Sequence, residues 1–486
     1  MKGDFFDGFF IMRWRELLQL NQDFPLSPDF FDHPRRVHFI GVGGIGMSAL
    51  ALLLKSRGHE VSGSDASDSA MLAQLREAGI ECFVGQKAEN LGESEAIFYS
   101  SAIASDNPEF AAATQKNLPR WHRSQLLAHF VNSAKTSIAV SGTHGKSTTS
   151  AMIAHILTEC GQNPTAVLGA IYPPFGSNLR VGNPDLIVVE ADESDGSFTL
   201  LKPTVALVLN VEPEHLENYD ESEEELWRAF EMFTTQACEI TVLNSDDKNG
   251  AARLPSSKTS GFYGLRESDQ LWAIDDNADA NTYIAGVAHG HELGKFRVGV
   301  PGSHNVSNAL AAIMAAWSVA VSPEKSLPTL QTFAGTLRRF ERKGEARNIL
   351  VYDDYGHHPT EVRATLDAAR EFLNRPVVVV FQPHRYSRTL ALHREFGPAF
   401  QSADKIIITQ LYSAYEEPIE GVSGRMVFDA VRENFPEKAV FYAENLAEAE
   451  RIALEILESG DALLTMGAGD ITKLGPQILE ALASRQ

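Results

Sequence analysis

The sequence is poor in cysteine and has no long apolar run. Its 486 residues hold three cysteines, Cys82, Cys160 and Cys238, with no CxxC pair and no histidine at zinc-finger spacing. That excludes a disulfide framework and a structural zinc ribbon, and it fits a reducing, cytoplasmic setting. The most apolar stretches, Met47 to Leu54 and Ala311 to Val321, fall far short of the roughly 20 residues that cross a bilayer, so no membrane insertion is expected. The amino terminus carries Asp4, Asp7, Arg13 and Arg15 among its phenylalanines and lacks a small-residue cleavage site, unlike a signal peptide. Residues 1–35 are taken as an extension of unknown role.

Basic residues are also scarce. Lysine and arginine total 42 against 64 aspartates and glutamates, a formal net charge of -22. A field of that sign disfavours nucleic acid and anionic lipid as partners, so any phosphate must be held by local groups. What is present is the composition of a globular protein: 44% hydrophobic and 22% charged residues exclude disorder and coiled coil as the main description. At roughly 150 residues per domain, the length suggests about three domains.

The pattern of elements is α/β. The run Val37 to Ile40 reads as a strand that enters Gly41-Val-Gly-Gly-Ile-Gly46 and then a helix from Met47 to Ser56. Strand and helix signals continue to alternate to about residue 135, as in a Rossmann-like parallel sheet. A second start at Ser137 to Val140 runs through a glycine turn into a helix from Lys146 to Glu159. Shorter, glycine-punctuated segments from Ser260 to Val300 suggest some antiparallel sheet. Arg338 to Gly344 reads as a hinge, and strand signals from Asn348 to Met466 describe a third, Rossmann-like α/β domain. The expected domains are therefore 36–135, 136–342 and 343–486.

The strongest chemical signal is Gly142-Thr143-His144-Gly145-Lys146-Ser147-Thr148, between a strand and a helix. Glycines let backbone N–H groups turn toward a phosphate, the helix N-terminus adds positive potential, Lys146 reaches terminal phosphates, and the Ser147 hydroxyl can ligate Mg²⁺. Val140 stands where the strict GxxxxGK[ST] template has its first glycine. Asp185 to Glu190 is an apolar strand ending in a carboxylate, followed by Asp192, Glu193 and Asp195. Glu190 is the best-placed metal ligand among them. His215, just past the next strand, is either a second ligand or a capped surface histidine.

The first glycine loop satisfies GxGxxG at Gly41, Gly43 and Gly46, with Asp65 ending the following strand. This is the fingerprint of a pyrophosphate at a helix N-terminus, which NAD and a UDP-linked substrate share. An ATP site beside it favours the UDP-linked substrate, because a dehydrogenase has no need of ATP.

Several longer motifs, in order along the chain, carry a resemblance. They are Gly41-Val-Gly-Gly44-Ile-Gly-Met47-Ser48, Ser100-Ser101-Ala-Ile103, the phosphate loop, Glu190-Ala-Asp-Glu-Ser-Asp195, Pro301-Gly-Ser-His-Asn305 with Asn308, Arg338-Arg-Phe340, Asp353-Asp354-Tyr355-Gly-His357-His-Pro-Thr-Glu361, Phe381-Gln-Pro-His384-Arg385-Tyr-Ser-Arg388-Thr389, and Gly467-Ala-Gly-Asp470. The chain resembles the Mur ligases of bacterial cell-wall synthesis over nearly its whole length, and most closely those that join UDP-N-acetylmuramate to L-alanine.

The resemblance implies a UDP-substrate domain, a central ATPase and a C-terminal domain that swings over the site. It implies ATP and Mg²⁺, with Mn²⁺ as a substitute, and an acyl-phosphate intermediate on the lactoyl carboxylate that the alanine amine attacks. Lys146 and a metal held by Ser147, Glu190 and His215 match the family's catalytic positions. Asn305 and Asn308 match its adenine side, although helix capping is the alternative, and Asp354 matches a carboxylate that faces the nucleotide. Gly41, Gly43, Gly44, Gly46, Met47, Ser48, Asp65 and Ser101 match its UDP-substrate side. Arg385 and Arg388 would take the amino acid's carboxylate, with Tyr355, His357 and His384 lining its pocket and His357 as general base; a structural ion network is the alternative. Two departures stand out, Glu214 before His215 and the altered run Tyr412 to Pro418. The rival readings are a ligase that recycles a tripeptide and, more distantly, an NAD-binding regulatory or structural protein. A monomer or weak homodimer is expected.

Overall fold

The computed structural model describes residues 13–484 apart from 256–258, 277–281, 289 and 415. It contains three α/β domains, each built on its own sheet. The first sheet has five parallel strands in the spatial order Glu81–Val84, Glu60–Asp65, Arg36–Ile40, Ala96–Tyr99 and Arg120–His122. The order reverses at Arg36–Ile40, and the glycine loop leaves the carboxyl end of that strand, the place where open α/β sheets bind ligands. The closing strand Arg120–His122 and the helix after it, Arg123–Ser133, carry weak sequence signals because one is three residues long and the other has little amphipathic contrast.

The second sheet has ten strands. Its middle is parallel, with Thr136–Ser141 between Val205–Val208 and Asn183–Glu190. That is again a reversal point, and it sets the phosphate loop, the acid-ending strand and the segment after Val208 side by side. Of the region expected to be antiparallel, Thr259–Gly264 and Leu271–Asp275 extend the sheet in parallel, and only Thr282–Val287 and His291–Arg297 turn antiparallel. Strands buried on both faces, such as Ile187, Val188 and Val189, account for the continuous apolar runs.

The third sheet has six strands, five of them parallel, with Glu341–Ala346 pairing antiparallel at one edge. The boundary expected at 342/343 is therefore displaced, because it cuts this strand. Charged residues at Arg342 and Glu345 suit an exposed edge, which is why the segment reads as a hinge in sequence. A bulge between Arg342 and Gly344 keeps the rest of the pair in register.

By contacts the chain forms two compact units. One holds the residues up to Val298 with Ser307–Phe333, and so both of the first two domains; the other holds Gly299–Val306 with Ala334 onward. The described part of the N-terminal extension is no loose appendage. Trp14 and Leu17, on the helix Trp14–Asp23, are buried, Trp14 in the core shared by the first two domains, and Phe31 stacks near Phe98 and Phe130.

Candidate active site

The phosphate loop is shaped by two glycines in the left-handed region, Gly142 at φ +131° and Gly145 at φ +86°. A Cβ on Gly145 would lie 2.6 Å from the Asn308 Oδ1, so a side chain fails there on both counts. The loop is braced by the segment after the strand Val205–Val208. His144 N–H donates to Asn210 Oδ1 at 2.8 Å, Asn210 Nδ2 returns a bond to His144 O, and Glu212 N–H donates to the Thr143 hydroxyl at 2.8 Å. Asn210 sits at the end of an apolar strand in sequence, where it gives no sign of this role. Ser147 and Thr148 are buried in the first turn of the helix that follows.

Lys146 folds back over its own loop. Its ammonium donates to Gly142 O at 2.7 Å and to Thr143 O at 3.1 Å, and it lies 2.7 Å from Glu193 Oε2. Burial by itself would lower its pKa, but Glu193, Asp192 and Glu190 outweigh that and hold it above its usual value. Burial pushes the Glu193 carboxyl the other way from an ordinary acid, up to about 7, with Asp192 adding to the rise and Lys146 opposing it. Asp192 is instead held low by Lys146, Arg123 and His215 acting against its desolvation.

Lys146, Glu190, Asp192, Glu193 and His215 thus share one electrostatic neighbourhood. Glu190 accepts a hydrogen bond from Gly169 N–H at 3.1 Å. His215 has a left-handed backbone at φ 57° and lies 3.7 Å from both Glu214 and Glu217. Of the three expected metal residues, then, Glu190 and His215 join through the field of this cluster, and Ser147 lies in the helix turn beside Lys146. Three carboxylates around one lysine leave negative charge in excess. Hard oxygen donors with that surplus suit a small divalent cation.

The first domain contributes a second cluster. Gly43 N–H donates to Asp65 Oδ2 at 3.0 Å, so Asp65 holds the glycine loop as well as ending its strand. Gly44 caps the helix Ile45–Ser56. The side chains of Met47 and Ser48 are both buried, and the Ser48 hydroxyl donates to Ile45 O. Gly41 takes φ +80° at the turn. A Cβ on Gly46 would meet Arg123, 3.5 Å from one guanidinium nitrogen. Arg123 in turn pairs with Asp195 at 3.1 Å, and Ser101 lies between His122 Nε2, at 3.1 Å, and Asp195. Burial keeps His122 neutral by lowering it to about 4. Arg123 and Asp195 therefore join the glycine loop of one sheet to the acid loop of the other. Sequence reasoning missed Arg123, which no glycine or hydroxyl pattern marks.

The C-terminal unit gathers most of the expected amino-acid residues. Arg338 and Arg339 lie over the Tyr355 ring at 4.9 and 5.2 Å, Tyr355 and His357 meet edge to face at 5.2 Å, and His357 and His384 are 5.6 Å apart. Arg388 approaches His384 Nδ1 at 3.4 Å, and His384 stacks on Tyr412. Burial depresses His357 well below its ordinary pKa, and burial with Arg388 and Arg385 takes His384 to about 3. Both imidazoles are neutral at pH 7, and the contact of His357 Nδ1 with Tyr355 O, at 3.0 Å, leaves its Nε2 as the acceptor. Arg385 N–H donates to Tyr412 O at 2.8 Å, and its guanidinium lies 4.0 Å from Glu416. Asp354 is buried and accepts from Gly356 and Phe340 N–H at 2.7 Å each; burial nevertheless raises it to about 6. Asn305 Nδ2 donates to Pro301 O at 2.6 Å, a local bond at the start of the helix Ser303–Trp317.

A phosphate loop at one sheet's reversal point and a pyrophosphate-type glycine loop at another define a modular protein built to hold two phosphate-bearing ligands. The Mur ligase catalytic, middle and glutamate ligase domain models match residues 36–135, 140–316 and 338–469. The chain belongs to the Mur ligase family, ATP-dependent enzymes that join an acid to an amino acid. It is 41% identical over 454 residues, 93% of this chain and 96% of the relative, to UDP-N-acetylmuramate–L-alanine ligase of Myxococcus xanthus. The protein of that name from a Sulfurihydrogenibium species is 39% identical over 93% of this chain and 99% of its own. The crystal structure of UDP-N-acetylmuramate-alanine ligase from Thermotoga maritima superposes with a TM-score of 0.80 at 31% identity, covering 93% of this chain and all of that one. A murein peptide ligase from Psychrobacter arcticus shares the fold, with a TM-score of 0.69 at 24% identity over 93% of this chain and 99% of its own. Among the described residues no helix is long and apolar enough to cross a membrane.

Proposed function

We propose that this chain joins L-alanine to the lactoyl carboxylate of UDP-N-acetylmuramate, consuming ATP and releasing ADP and phosphate in peptidoglycan precursor synthesis. The observation that carries the reading is the name shared by relatives 39–41% identical over 93% of the chain. Likeness to the murein peptide ligase is too distant to speak for a peptide substrate.

In this reading the glycine loop, with Gly41, Gly43, Gly44 and Gly46, receives the pyrophosphate of the UDP-sugar on backbone N–H groups, and Asp65 and Ser101 border it. Gly142 to Thr148 cradle the ATP phosphates, and Lys146 neutralises charge on the group being transferred. Ser147, Glu190 and His215 would hold Mg²⁺, which supplies charge neutralisation between two anions when bound, and Mn²⁺ serves in its place. Phosphoryl transfer from ATP to the lactoyl carboxylate gives an acyl phosphate and ADP. The alanine amine, after losing a proton, then attacks the carbonyl carbon, and phosphate leaves.

The C-terminal unit supplies the amino acid. Arg388, supported by Arg385, binds its carboxylate, and Tyr355 and His384 bound its pocket. His357, neutral with Nε2 open as an acceptor, takes the proton from the ammonium. Asp354, Asn305 and Asn308 serve the nucleotide. The enzyme works in the cytoplasm, without nucleic acid or membrane insertion, as a monomer or weak homodimer.

The test is phosphate release from ATP with a panel of amino acids. Release that needs both UDP-N-acetylmuramate and L-alanine, and stops when a chelator removes divalent metal, is the expected result. Release that needs a tripeptide instead selects the recycling reaction, and release with neither acceptor overturns both.

A further inference from the structure

The family models begin at residue 36, so the helix Trp14–Asp23 lies outside them. It is nevertheless packed against the acid loop. A Cβ on Gly196 would collide with the Trp14 Cβ and lie 3.0 Å from its Cα, so the backbone of that loop comes as close to the helix at Trp14 as glycine permits. Gly196, at φ +70°, is in the left-handed region as well. The Trp14 ring also lies 6.5 Å from the Tyr219 ring.

Those two neighbours share one task. Gly196 N–H donates to the Glu193 carbonyl at 2.9 Å, and the Tyr219 hydroxyl donates to the same oxygen. Trp14 therefore touches both donors that fix the Glu193 backbone, Gly196 through its Cβ and Tyr219 through its ring. The helix is itself anchored on both sides. Arg13 pairs with Asp220 and Arg15 with Glu225, both at 2.7 Å, on the central domain, while Gln125 of the first domain donates to Asn21 and to Phe24 O. Ion pairs with arginines as exposed as these contribute little stability; their use is to fix orientation.

We propose that the helix Trp14–Asp23 is a brace for the nucleotide site, with Trp14 a positioning residue that sets Glu193 where its carboxylate meets Lys146. The inference rests on the proposed ligase function for its kinetic readout. Its physical basis is leverage: a misplacement of about 1 Å at a phosphoryl-transfer site can cost up to about a hundredfold in rate.

The experiment compares wild type, Trp14→Ala, Trp14→Phe and Tyr219→Phe by steady-state kinetics, with thermal melts confirming that each is folded at the assay temperature. Trp14→Ala is expected to lower kcat by about tenfold with KM for UDP-N-acetylmuramate within about twofold of wild type. Trp14→Phe, which keeps a ring beside Tyr219, should recover most of that loss. A folded Trp14→Ala enzyme with wild-type kcat overturns the brace, since a purely structural helix would move the melting temperature alone. Should Trp14→Ala not fold, Tyr219→Phe decides, because it keeps the packing and removes only the hydroxyl on Glu193: lowered kcat supports the brace, unchanged kcat overturns it. Wild type without alanine-dependent turnover would defeat the functional reading instead. The brace is then read from the affinity of a non-hydrolysable ATP analogue, weakened in Trp14→Ala if it holds and unchanged if it does not.

Discussion

Lys146, half-buried, and Glu193, buried, form an ion pair 2.7 Å from nitrogen to oxygen at the phosphate loop. The same ammonium donates to two loop carbonyls, Gly142 O and Thr143 O. A triphosphate would replace those partners with its own oxygens, so the pair keeps the ammonium charged and close at hand. Desolvating both ions is costly, and stability alone does not account for such a pair.

Removing the ammonium should therefore end turnover without emptying the other site. Lys146→Ala is expected to lower kcat by at least about a thousandfold. UDP-N-acetylmuramate binding, measured by calorimetry, should stay within about threefold of wild type, because the glycine loop belongs to a different sheet. Loss of that binding would contradict separate sites.

The same pair makes stability depend on pH. The Glu193 carboxyl titrates at about 7 in the folded protein against an ordinary value of 4.5, so folding favours its protonated form. The stability from this group is fully present below about 4.5 and is lost as pH rises through about 7. Lys146, raised by the same carboxylates, stays charged across that window. Glu193→Gln should accordingly melt higher relative to wild type at pH 8 than at pH 5. A constant difference in melting temperature across that range would refute the assignment.

Gly145→Ala tests the loop itself. A left-handed backbone costs an alanine about 1–2 kcal/mol, and the new methyl would press on the Asn308 side chain, 2.6 Å away. KM for ATP should rise by roughly tenfold or more, with KM for the UDP-substrate unchanged.

Arg388→Ala addresses the amino acid. A charge-assisted hydrogen bond to a carboxylate contributes about 1.5–3 kcal/mol, so KM for L-alanine should rise roughly ten- to a hundredfold. KM for ATP should move by less than about twofold. A uniform effect on all three substrates would place Arg388, beside His384, in the structure rather than in the pocket.

Much of this was legible along the chain, for a local reason. Glycine loops and the helix from Lys146 to Glu159 depend on neighbours in sequence, and the structure returns that helix with the expected bounds. The edge strand Glu341–Ala346 was not legible, because its charges suit a hinge and an exposed strand equally. Nor was the first helix, whose meaning lies in what Trp14 touches far along the chain.

The sequence by itself determined the α/β class, the two phosphate-type loops and the family, since each rests on residue types at fixed short spacings. Only the tertiary structure decided which carboxylate pairs with Lys146, that Arg123 ties the glycine loop to Asp195, and that Asn210 braces the phosphate loop. Those are contacts between residues 47, 72 and 66 positions apart. Charge and burial act through space, and a buried carboxylate acquires its proton affinity from whatever the fold brings beside it.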